Sequence, residues 1–73
     1  MAQEIIEAPI PGRVLQVNVT VGNTVEEGGV ICTIEAMKME NPILSPVKGS
    51  TIEVAVSVGQ TVKVGDKLAV IEY

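Results

Sequence analysis

The chain has no histidine, and its one cysteine, Cys32, has neither a second thiol nor an imidazole to work with. That removes a Cys/His nucleophile pair, a zinc site, an internal disulfide and the commonest general acid/base. No Gly-rich phosphate loop with strand and helix flanks is present, so a self-contained enzyme is not expected. The residues whose types and spacing suggest chemistry are Met37-Lys38-Met39, an amine between two thioethers, with Glu35 and Glu40 just outside. Two readings fit them. Lys38 is an ordinary solubilising residue and the methionines fold inward as adaptable filler. Alternatively, the methionines lie on the surface, where solubility would favour polar groups, and mark an interaction site. Cys32 reads as a small buried hydrophobe in a strand.

What positions these residues is legible in the composition. Valine and isoleucine supply 21 of the 73 residues, against three leucines, one tyrosine and no phenylalanine or tryptophan. Such β-branched content favours strands. The net charge of −4 with only five Lys and Arg is the opposite of a nucleic-acid footprint. No apolar stretch approaches a membrane span, and residues 1–15 lack the basic start and apolar middle of a signal peptide. A soluble cytoplasmic protein that inserts into no membrane is the expectation.

The chain is also two copies of one unit. A shift of 37 residues lays 8–36 onto 45–73 with 11 of 29 pairs identical, among them Pro9/Pro46, Gly12/Gly49, Gly22/Gly59, Gly28/Gly65 and Glu35/Glu72. Leu15, Val17, Val19 and Val21 alternate at period two, as do Ile52, Val54, Val56 and Val58, which predicts strands with one apolar face. Turn residues fall at matching places, and Gly or Pro interrupts every window long enough for a helix. The expected fold is all-β: a flattened barrel or sandwich of about eight short strands from two pseudo-symmetric four-strand halves. The sequence reads as one domain over 1–73, with repeat units 8–36 and 45–73 joined by a hairpin at 37–44.

That junction is the part the repeat does not explain. Ile34-Glu35-Ala36 ends one strand and Ile43-Leu44 leads into the next, so Lys38 is expected at a hairpin tip. Tight hairpins normally use Asn-Gly, Asp-Gly or another glycine there. A local rule broken at one place in an otherwise consistent chain is where function is sought. The pseudo-two-fold relation also maps this hairpin onto the chain termini, which predicts that both ends lie together, opposite Lys38.

Glu35-Ala36-Met37-Lys38-Met39 resembles the attachment motif of biotin carboxyl carrier domains, within the biotinyl/lipoyl attachment family. Ala8-Pro9-Ile10-Pro11-Gly12 and Ser45-Pro46-Val47-Lys48-Gly49 resemble that family's two Ala-Pro-x-x-Gly-type openings, so the likeness covers nearly the whole chain. It implies a barrel-sandwich hybrid fold and biotin joined through an amide to Lys38, with Ala36, Met37 and Met39 around the cofactor. It also implies a biotin protein ligase as partner, then a biotin carboxylase that loads the carboxyl and a carboxyltransferase or decarboxylase that receives it. The chain is then a carrier, with biotin supplying the chemistry. Glu35 and Glu40 are candidates for partner recognition, although Glu35 has a repeat mate, Glu72, with no such role. The sequence departs from the family pattern at Ile10, often methionine, and at Pro42, which predicts an edge position or a bulge. A lipoyl carrier is the alternative within the same fold, although an acidic residue before the lysine and alanine after it are usual there. A non-modified structural barrel module is the alternative from another class.

Overall fold

The computed structural model describes residues 1–73. It contains eight strands and no helix: β1 (Gln3–Glu7), β2 (Gly12–Val17), β3 (Thr24–Val25), β4 (Val30–Ala36), β5 (Met39–Leu44), β6 (Gly49–Val54), β7 (Thr61–Val62) and β8 (Lys67–Glu72). They form two four-stranded sheets, ordered β1-β8-β6-β3 and β5-β4-β2-β7, with every pairing antiparallel. This is the all-β sandwich expected from the sequence.

The duplication is visible bond by bond. Val14 exchanges backbone hydrogen bonds with Gly59 and Gln60, and its mate Thr51 does the same with Gly22 and Asn23. Ala8 bridges Gly65 and Asp66, just as Ser45 bridges Gly28 and Gly29. In each case a residue of one unit is held by the other. The short strands are exchanged too, since β3 pairs with β6 and β7 with β2.

The central strands β4 and β8 carry the core. Ile31, Cys32, Thr33 and Ile34 are all buried, as are Leu68, Ala69, Val70 and Ile71. Ile6, Val14, Val25, Ile43, Val56 and Val62 complete it, an apolar core without an aromatic ring. The expected period-two face is only partly realised. The register of β2 against β4 shifts between Val14 and Gln16, and that of β6 against β8 between Thr51 and Glu53. A bulge reverses the phase of the residues around it, so Val14 is buried while Leu15 is only half-buried. The strand ends at Val17, and Val21 and Val58 are 59% and 65% exposed beside their turns.

Registry fixes where the β4–β5 hairpin lies. Gly12 pairs with Val62 and Arg13 with both Thr61 and Glu35. The end of β4 therefore shares one end of the sandwich with the start of β2 and with the β7–β8 turn. From there β8 runs away to the far end, where Tyr73 and Ala2 exchange backbone hydrogen bonds of 2.8 and 2.9 Å. The molecule is elongated, 36 × 17 × 17 Å. The termini lie side by side, opposite the Lys38 end, as the pseudo-symmetry predicted.

Candidate attachment site at the β4–β5 turn

β4 and β5 form a ladder in which Ala36 faces Met39, Glu35 faces Glu40 and Ile34 faces Asn41. Only Met37 and Lys38 remain to make the connection. A two-residue hairpin that follows the twist of its strands needs positive φ at both positions. Met37 has φ 53° and Lys38 has φ 64°; every other positive-φ residue in the chain is a glycine. Left-handed backbone costs an L-residue about 1–2 kcal/mol relative to the right-handed form. Strain of this kind persists where the surrounding ladder holds it, and it is a recognised mark of functional positions.

Alternation along the ladder divides the hairpin into two faces. Ala36, Met39 and Asn41 share the side that, further down, buries Ile34 and Ile43. Glu35 and Glu40 lie opposite each other on the other side, both exposed, and neither makes a salt bridge. Like charges directly across a ladder are unfavourable, so this face is held acidic against a local cost. Met37 is 94% exposed and Met39 65%. The inward-filler reading of the methionines is therefore incorrect: beyond Ile34 the hairpin has passed the end of the buried core, and both side chains stand at the surface.

Lys38 is exposed and unpaired, whereas Lys48 lies 3.8 Å from Glu26 and Lys67 3.0 Å from Glu53. An accessible amine on a rigid two-residue tip fits a group attached through an amide. Cys32, in contrast, is fully buried, and desolvation pushes its thiol above the ordinary range. It is a core residue, as its sequence context indicated.

Two contributors escaped sequence reasoning. Ile10 and Pro11 flank the hairpin, and with Ala36, Met37, Met39 and Asn41 they line a groove of about 260 Å³. The signal available was an isoleucine between two prolines, an apolar residue where a turn has no need of one. Gly12 brings that turn close, because a Cβ there would collide with the Glu35 carbonyl oxygen and the Ile34 side chain. Pro42 sits in β5, an edge strand, as its missing N–H required.

A family model described as "Biotin-requiring enzyme" (Biotin_lipoyl) matches residues 4–71. The chain belongs to the biotin–lipoyl family. Among relatives, the propionyl-CoA carboxylase alpha chain of Ruegeria pomeroyi is 53% identical over 38 residues, 52% of this chain and 6% of that protein. The glutaconyl-CoA decarboxylase subunit gamma of Acidaminococcus fermentans is 51% identical over 39 residues, 53% of this chain and 27% of that subunit. The biotin carboxyl carrier protein of Streptococcus mutans is 48% identical over 44 residues, 60% of this chain and 34% of that protein. The urea carboxylase of Kluyveromyces lactis superposes with a TM-score of 0.90 at 30% identity, covering 99% of this chain and 6% of the enzyme. This biotin–lipoyl chain thus matches about a third or less of the length of these proteins. It is a non-catalytic biotin carrier domain, and no helix in it is long and apolar enough to cross a membrane.

Proposed function

We propose that Lys38 carries biotin in amide linkage on Nζ, and that the chain presents it alternately to a biotin carboxylase site and to a carboxyltransferase or decarboxylase site. The observation that carries this reading is the strained Met37-Lys38 turn, which holds an unpaired amine at the end of the molecule away from both termini. A biotin protein ligase is the partner for attachment, since the chain offers no base beside the amine. In that step Nζ attacks the carbonyl carbon of biotinyl-adenylate, the C–N bond forms, the C–O bond to AMP breaks, and the amine's proton passes to the ligase. Bound biotin supplies a ureido nitrogen that takes up and releases a carboxyl group.

The chain's own residues present and orient. The β4–β5 ladder fixes the direction of the arm, and the lysine stem lengthens it. Glu35 and Glu40 offer an acidic face to partners, while Ala36, Met37 and Met39 offer an adaptable apolar one. Tethering raises the arm's effective concentration at each site it serves. Acylation removes the lysine charge, leaving the tip more acidic. Residues 1–73 act as one carrier domain, with 8–36 and 45–73 as its units, working in the cytoplasm.

The intact mass after co-expression with a biotin ligase tests this reading. One biotin per chain, mapped to Lys38 and absent from Lys38→Arg, is expected. Lipoate, no added mass, or biotin on Lys48, Lys63 or Lys67 overturns it.

A further inference from the structure

We infer that the groove between the β4–β5 hairpin and the Ile10-Pro11 turn is a resting site for the bicyclic head of the chain's own biotin, an inference that rests on Lys38 being the attachment point. The groove lies directly beside Lys38, between its neighbours Met37 and Met39 and the wall formed by Ile10 and Pro11. Its volume of about 260 Å³ is just below the range of ordinary small-ligand pockets, a scale for a compact ring system and not for a peptide. Its walls are mostly apolar and suit a thioether ring.

One amide side chain, that of Asn41, lines the groove. Asn41 is half-buried, and its Nδ2 donates to the carbonyl oxygens of Ile34 at 3.3 Å and Met39 at 3.2 Å. Those two bonds fix which way the amide points, because a flipped amide would set oxygen against oxygen. Asn41 Oδ1 accepts no hydrogen bond within the chain. Asn41 lines the apolar groove, and this free acceptor is complementary to the N–H donors of a ureido ring.

The tether makes such a site effective with little intrinsic affinity. A ligand on a short flexible linker samples its site at an effective concentration in the millimolar range, so a dissociation constant of about 1 mM already gives comparable resting and extended populations. The same weakness lets a partner enzyme draw the arm away.

The experiment uses isotope-labelled chain, biotinylated by a ligase and checked by intact mass. Nuclear Overhauser contacts are expected from the biotin ring protons to the side chains of Ile10 and Met39, with amide shifts at Ala36 and Asn41. Met39→Ser removes one wall at an exposed position, and the contacts to Ile10 should then fall several-fold while the fold's spectrum is retained. Contacts confined to residues 37–39 on a biotinylated chain overturn the resting site and leave the carrier reading intact. A chain that gains no biotin overturns the carrier reading, and the resting site with it.

Discussion

Thr51 occupies in the second unit the place that Val14 holds in the first, and its buried hydroxyl has no hydrogen-bond partner. A buried polar group without a partner retains its desolvation cost. Thr51→Val, which keeps the branched shape and copies the symmetry mate, should therefore raise stability by about 1 kcal/mol in a denaturant titration. Cys32 calls for a different measurement. Its thiol is raised by desolvation in the folded chain, whereas an unfolded thiol ionises near its reference pKa of about 8.5. Above that pH the unfolded state has lost a proton that the native state keeps, so stability should decline from there until the folded thiol itself ionises. Cys32→Ala, matching its mate Ala69, should abolish that component of the alkaline decline when melting is followed across the same window. At the tip, changing Met37 and Met39 together to serine should cost only about half a kcal/mol, as at other exposed positions. Carboxyl transfer with partner enzymes should slow nonetheless; a stability loss of about 2 kcal/mol or more would instead mark the pair as core.

At the scale of elements, Gly12 and Gly49 make the same close approach at opposite ends of the molecule. A Cβ on Gly12 would collide with the Glu35 carbonyl oxygen, and one on Gly49 with that of Glu72. The obstacle is backbone in both cases, so Gly12→Ala and Gly49→Ala should each lose roughly 1–3 kcal/mol, the usual cost of overpacking. Their effects on function should differ. Only Gly12→Ala displaces the Ile10-Pro11 turn from the β4–β5 hairpin, so on the proposed attachment at Lys38 it alone should slow biotinylation under conditions where both variants remain folded. The 37-residue repeat made both glycines visible as turn residues, but not the carbonyl each one faces, because that contact joins segments more than 20 residues apart. The alternation from Leu15 to Val21 was misleading for a related reason. A bulge after Val14 shifts the phase without leaving a mark in the hydropathy pattern. Lys38 was legible because a two-residue turn demands positive φ and no glycine is present to supply it.

On the scale of the whole molecule, the repeat units are not independent bodies. β3 and β7 each pair with the other unit, β1 pairs with β8 and β4 with β5, so only β2–β4 and β6–β8 are ladders within one unit. Peptides covering 1–37 or 38–73 alone should show no stable β-structure by circular dichroism, and mixing them should restore part of it. A stable separate half would contradict the exchange. The duplication made the two-fold relation readable, including the meeting of the ends, whereas the exchange of short strands was hidden because a two-residue strand carries no periodicity. That meeting of the ends has a mechanical side. Ala2 and Tyr73 sit opposite each other at the end of the β1–β8 ladder. A force that pulls them apart loads the hydrogen bonds singly, in the manner of a zipper, not all together as in shear. The domain should yield at low tension when stretched through its own chain ends, yet resist far better when pulled between Lys38 and either end, along its length.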